Sequence, residues 1–419
     1  MLNALGIHVF AGGFTLGVKN VMNVDTHLEV HDLGAETARK VVGVDVIRSP
    51  ADSWPKQSTY DNHVMAFGNP RCTAFSTVTS SCSRESHGWL GKQTCDAVQL
   101  CSYSAGHFPF VVWESVQQAY SSGKPLLDRL FEEFYKPRGY RVCHLFINAA
   151  SFGNAQCRKR YFAVYYADRY KFNIVPPPMP AFKPALWDAI GHLTDRPTTP
   201  SLSYQEPLEH DKSAYQVPVN LDVIPLMPTG WDLNSLGRHM YHVLPERQRL
   251  MWDRRSSDIP YSLFCPHRLS MTEFSPTLFT GSVHAIHPWY NRGLTAAEFS
   301  SIMGWGDKIP LGSGTLMQLA KGIVPAVGEW IAQQVKLSLE GYWGEDDWES
   351  RYCHKKNMWY GGSAKGQDQK IINLTQWYPH VQDWSRFPEH VLRPAFPIPE
   401  GLNVPASLDN RWVGGTKVV

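Results

Sequence analysis

The chain has 419 residues, 43% hydrophobic and 19% charged, which suits a large folded domain carrying a smaller one and excludes a disordered polymer. Forty basic and 38 acidic side chains leave a formal net charge of +2, so any nucleic-acid contact has to come from a local patch. No apolar run reaches the roughly 18 residues of a membrane span, and the opening MLNALGIHVFAGGF lacks a signal peptide's basic head and cleavage site. The eight cysteines (Cys72, Cys82, Cys95, Cys101, Cys143, Cys157, Cys265 and Cys353) form no CxxC pair and no zinc spacing. That disfavours a zinc or disulfide scaffold and implies a reduced, intracellular protein.

Residues 1–170 alternate short apolar runs with helical stretches. LGIHVFA, HVMAFGNP, FPFVVWES, VCHLFINAA and YFAVYYAD read as strands; TARKVV and SGKPLLDRLFEEFYKP read as helices. Such alternation predicts an α/β fold with a mainly parallel sheet. The last two strands flank a short polar connection and are expected to be antiparallel, at one edge. From 171 to 285 the texture changes to prolines and short polar runs, opening with VPPPMPAFKP, as expected of a smaller irregular domain. Helical pattern returns over 286–340, in LTAAEFSSIMGW and LMQLAKGIVPAVGEWIAQQVKLSLEGYW. Residues 341–419, rich in Trp and Pro, read as an extended surface tail.

The candidate chemistry lies at the ends of the apolar runs. In Asn69-Pro70-Arg71-Cys72-Thr73-Ala74-Phe75-Ser76, Cys72 sits where a strand gives way to a loop, the edge of an α/β sheet at which ligands bind. Arg71 beside it is expected to favour the reactive thiolate; the alternative is a buried structural cysteine. Glu114, in Val111-Val112-Trp113-Glu114-Ser115-Val116, ends another strand 42 residues later and could face Cys72 across one cleft. Arg158 and Arg160, in Gln156-Cys157-Arg158-Lys159-Arg160, form either a charged turn or a site for phosphate or a polarised base. Phe10-Ala11-Gly12-Gly13-Phe14 follows the first strand, where Gly12 and Gly13 let backbone approach a ligand. Acidic Glu29 and Asp45 downstream suit a ribose or an amine.

Taken in order, these segments resemble the DNA cytosine-C5 methyltransferase family over roughly residues 5–335. FAGGFTLG is similar to the family's FxGxGG loop, one residue shorter; GNPRCTAFS to GxPPCQxFS; WESV to ENV; QCRKR to QxRxR. Arg292-Gly293-Leu294-Thr295-Ala296-Ala297-Glu298 resembles RxLTxRE, and Gln318 to Pro325 resembles QxGNAVPP.

The resemblance implies a Rossmann-like S-adenosylmethionine-dependent methyltransferase sheet with a smaller target-recognition domain. Residues 1–170 and 286–340 would form the catalytic domain, 171–285 the target-recognition region and 341–419 an extension. It implies a monomer acting on double-stranded DNA, with S-adenosyl-L-methionine as cofactor, and no membrane. Cys72 would be the nucleophile and Glu114, Arg158 and Arg160 its catalytic partners. Phe10, Gly12, Gly13, Glu29, Asp45, Pro70 and Lys321 would face the cofactor. Four positions depart from the pattern: Arg71, Thr73, Ser115 and Lys321, the last standing where the family has Asn. An ammonium beside a sulfonium is unfavourable, so Lys321 raises carboxy-S-adenosyl-L-methionine as an alternative donor, with 5-carboxymethylcytosine as product. An inactive DNA-binding homologue and an RNA cytosine methyltransferase are further alternatives.

Overall fold

The computed structural model describes residues 1–72, 75, 95–172, 174–197, 221–244, 266–279, 285–312, 314–341, 369–379, 382–393 and 395–396, together with Glu246, Arg249, Leu250 and Asp253. Ten strands lie among them: β1 (Asn3–Ile7), β2 (Thr26–Glu29), β3 (Asp45–Arg48), β4 (His63–Gly68), β5 (Phe110–Ser115), β6 (Tyr140–Asn148), β7 (Lys159–Ala167), β8 (His267–Arg268), β9 (Ala285–Ile286) and β10 (Gln369–Leu374). Eight form one sheet in the order β10-β6-β7-β5-β4-β1-β2-β3; β8 and β9 pair separately. Within the large sheet β7 alone runs against its neighbours, β5 and β6.

Residue alternation explains why this sheet is covered on both faces. Phe110 and Val112 enter one apolar cluster and Val111 and Trp113 the other, because successive side chains of a strand point to opposite faces. One cluster holds Phe14, Val18, Trp330, Ile331 and Val335; the other holds Leu126, Leu130, Tyr135 and Tyr165. The helix Pro325–Leu339 returns to the first helix, Gly13–Val18, at very close range. A Cβ on Gly17 would lie 1.9 Å from the Pro325 carbonyl oxygen, so only glycine permits that approach.

Several expectations change here. The antiparallel pair is present, but β7 is inserted between β5 and β6, so it is internal. The edge belongs to β10, which pairs in parallel with β6 from Gln369↔Val142 to Leu374↔Ile147. The extension is therefore not merely a surface tail: Ile372 and Leu374 are buried, and the Asn148 side-chain amide donates to the Thr375 carbonyl at 3.2 Å. The run LGIHVFA is a strand only as far as Ile7, and the two halves of LMQLAKGIVPAVGEW are separate helices, Thr315–Lys321 and Pro325–Leu339. Pro325 stands at the start of the second, where its missing N–H costs nothing. Parts of the 171–285 region and most of 341–419 lie outside the described residues, as does Thr73.

Among the described residues no helix is long and apolar enough to cross a membrane. Three buried histidines are held neutral. Burial, with Lys19 nearby, brings His27 down to about 3; burial, with Lys124, brings His144 to about 4; burial brings His287 to about 3, against the pull of Glu298. Each is less readily protonated folded than unfolded, so its contribution to stability is complete above the unfolded value of about 6.5 and is lost as pH falls toward the folded value. At pH 5.5 each should cost about 1.4 kcal/mol. Urea unfolding at pH 7.5 and 5.5 should show this loss, and His144→Gln should remove about one such increment from the difference.

Candidate functional site

The chain leaves β1 toward β2 and β3, then crosses back so that β4 pairs on the other side of β1. A crevice opens at such a switch point, beyond the carboxyl ends of the strands. On one side stand residues 8–12, following β1; on the other stand residues 69–72, following β4. The first loop is bent sharply. His8 and Phe10 have φ of 56° and 54°, and Gly12 has φ of 92°. Left-handed backbone at two non-glycine residues costs roughly 1–2 kcal/mol each, which the surrounding packing must offset.

Reversal of β7 supplies the rest of the site. Its first residues, Lys159 and Arg160, lie at the carboxyl end of β5, because Glu114 pairs with Phe162 and Ser115 with Tyr161. Arg160 Nε consequently meets Glu114 Oε1 at 3.1 Å. Glu114 is buried, and burial raises its carboxyl above the ordinary range despite the opposing guanidinium groups of Arg160 and Arg158. Cys72 is partly exposed. Desolvation raises its thiol, Glu114 raises it further, and Arg160 and Arg158 pull it down. Cys72, Glu114 and the two arginines thus form one electrostatic unit.

Arg71 does not act as its position beside Cys72 suggests. Its Nε and Nη2 donate to Asp96 Oδ2 and Oδ1 at 2.8 and 2.9 Å. The cations that pull the thiol down are Arg160, in β7, and Arg158, just before it. Arg158 is wholly buried and holds the base of the site together: it donates to the carbonyls of Leu278 (3.2 Å), Ala320 (2.5 Å) and Gly322 (2.9 Å). Its Nη1 and Nη2 thereby position backbone from two separate segments. Asn69, before Pro70, donates to the Lys321 carbonyl at 3.1 Å, fixing the β4 loop to the same helix end.

Lys321 lies inside the cluster. Its ammonium is 5.6 Å from the centre of the Phe10 ring. Burial lowers its proton affinity, as does Arg71, while Cys72 and Asp96 raise it.

The acceptor side of the crevice is Glu29, at the end of β2. It is buried; Oε1 accepts from His8 Nδ1 at 3.1 Å, and Oε2 has no partner among the described residues. A cavity of about 740 Å³ lies alongside, lined by Val30, Arg48, Ser49, Pro50, Ala51, Asp52 and Gln99. One anticipated cofactor residue stands elsewhere. Asp45 opens β3 at the opposite, amino edge of the sheet and is exposed, because the strand extends to Arg48. Gly13 serves packing: a Cβ there would lie 2.7 Å from the Ile323 carbonyl oxygen. His8, His31 and Asp96 were not anticipated; His8 is hidden inside an apolar strand motif, and the other two become neighbours only through the fold.

No family model matches the chain. The type II methyltransferase M.DdeI of Desulfomicrobium norvegicum is 24% identical over 308 residues, covering 65% of this chain and 72% of that protein. Among solved structures, a prophage-encoded E. coli protein described as a DNA modification methyltransferase superposes with a TM-score of 0.53 and 17% identity, over 81% of this chain and all of that one. The Entamoeba histolytica methyltransferase EhMeth gives a TM-score of 0.53 and 12% identity, over 81% of this chain and 99% of its own. The chain has the Rossmann-like fold of S-adenosylmethionine-dependent methyltransferases.

Glu114 offers a direct check on the electrostatics. Carbon-13 NMR of the labelled carboxyl should show titration above the usual carboxylate range. In Arg160→Leu it should move higher still, since a cation favouring the charged form is gone. Titration at or below the usual range would mean that charge outweighs burial here.

Proposed function

We propose that this chain is a DNA (cytosine-5) methyltransferase, in which Cys72 attacks the ring and Glu114 handles the proton at N3. The observation that carries this reading is the single electrostatic unit of Cys72, Glu114 and Arg160 at the switch point of a methyltransferase sheet. Similarity to M.DdeI and to the prophage-encoded protein supports a methyl-transfer activity on DNA.

The residues around the crevice fit an S-adenosyl donor. Glu29 Oε2 is a buried acceptor with no partner among the described residues, and the adjoining cavity has room for a nucleoside. Phe10, Gly12, Glu29 and Pro70 would hold the donor, which when bound supplies an electrophilic carbon to C5. Asp45, at the opposite edge of the sheet, has no part in that cradle.

Cytosine C5 becomes nucleophilic once a thiolate adds to C6. Glu114, whose carboxyl burial raises above the ordinary range, gives a proton to N3 as the ring gains electrons, and Arg160 then faces a full carboxylate. Protonation of Glu114 removes the anionic neighbour that raises the Cys72 thiol, so that Arg160 and Arg158 then act against desolvation alone. Loss of the C5 proton to a base such as water, with elimination of Cys72, returns the enzyme. The target base must leave the duplex to reach Cys72. Target recognition is assigned to residues within 171–285.

Lys321 supports a second reading, in which the transferred group carries a carboxylate and the ammonium receives it. Its ammonium lies over the Phe10 ring and close enough to Cys72 for the two charges to interact.

Nucleoside mass spectrometry after incubation with duplex DNA or RNA, and with S-adenosylmethionine or its carboxylated form, tests both. We expect 5-methylcytosine in DNA with the plain donor, none in Cys72→Ser, and a rate loss of about 10²–10⁴ in Glu114→Gln. Modification of RNA alone, or of nothing, would overturn the principal reading. A 5-carboxymethylcytosine product that Lys321→Asn converts to 5-methylcytosine would establish the second.

A further inference from the structure

We propose that His8, His31 and Asp96 form a binding site for one divalent transition-metal ion of the zinc class, beside the crevice and distinct from the transfer chemistry. One ring nitrogen of each histidine and one Asp96 oxygen all lie within 4.8 Å of one another. The three residues come from the β1 loop, the residues after β2, and the first turn of the helix Cys95–Ser104. His8 and Asp96 are buried and His31 is partly so.

The protonation of His8 is fixed by its neighbour. Glu29 Oε1 is 3.1 Å from Nδ1 and, as a carboxylate, can only accept, so Nδ1 carries the proton. A neutral His8 then leaves a lone pair on Nε2, which is buried and has no hydrogen-bond partner among the described residues. A carboxylate behind one nitrogen and a vacant lone pair on the other is the arrangement that orients histidine toward a metal. His31 Nε2 and Asp96 Oδ2 are already 3.0 Å apart. Two ligands of one tetrahedral ion with bonds of 2.0–2.1 Å are separated by about 3.3 Å. Rotation of the partly exposed His31 ring would complete the set, with Nε2 releasing its proton to solvent and a water taking the fourth position.

Arg71 sets the strength of the site. Its bidentate hold on Asp96 orients that carboxylate but competes for its charge, so the ion should be held with modest affinity and exchange readily.

The test uses the full chain, stripped with chelator and titrated with Zn²⁺ by calorimetry, with Co²⁺ as a spectroscopic probe. One ion per chain is expected, with a Co²⁺ spectrum lacking a thiolate charge-transfer band. His31→Gln, which alters a partly exposed ring, should abolish binding while the protein still unfolds cooperatively; Asp96→Asn should do likewise if it folds. Glu29→Gln should weaken binding by about 10–100-fold. Arg71→Gln should strengthen it by about tenfold, the opposite sign from simple damage to the fold. No binding at micromolar zinc, a thiolate band, or binding unchanged in His31→Gln would overturn the proposal, which would leave an ordinary histidine–aspartate ion pair. These readouts are independent of methyl transfer, so neither proposal stands or falls with the other.

Discussion

Arg158 carries a buried charge that no carboxylate neutralises directly by hydrogen bonding. Leaving such a group unsatisfied in an apolar interior would cost several kcal/mol. The chain offsets this at Nη1 and Nη2 with backbone carbonyls drawn from residues 278, 320 and 322, far from Arg158 in sequence, while Nε has no partner among the described residues. The constraint runs both ways. Satisfying the guanidinium fixes where the helix Thr315–Lys321 ends, which fixes Lys321, and Asn69 joins the Cys72 loop to the same point. A charge that cannot be solvated thus sets the geometry of the floor of the site.

The second constraint is strand direction. Were β7 parallel to β5, its basic start would lie at the far edge of the sheet. Reversal places Arg160 against Glu114 and lets one short sequence, Arg158 to Arg160, serve two purposes. Arg158 lies just before the strand and Arg160 at its start, and both act on Cys72 and Glu114.

How much of this was legible beforehand depended on the length of each signal. β4 to β7 have six to nine residues and are dominated by apolar or aromatic side chains, so HVMAFG, FVVWES and the β6–β7 pair were readable, and with them the positions of Cys72 and Glu114. β2 and β3 have four residues each, and His27 and Asp45 interrupt their apolar pattern. Missing β3 is why Asp45 was placed at the ligand edge: without knowing that the strand extends to Arg48, its direction and end could not be assigned. Arg71 misled for a different reason. Sequence adjacency gave it to Cys72, whereas the partner that claims it, Asp96, lies 25 residues away and is brought near by the helix Cys95–Ser104. β10 was illegible because its pairing partner, β6, is separated from it by more than 200 residues.

That last pairing bears on the order in which the molecule can be completed during synthesis. Everything needed for seven strands has left the ribosome once β7 is made, yet the outer side of β6 has no covering strand until residues 369–374 follow. Through the intervening 200 or so residues, a nine-residue strand including Val142, Leu145 and Ile147 presents unpaired backbone groups along its rim. The nascent chain therefore carries an adhesive edge through about half of its translation, a surface of the kind that chaperones cover.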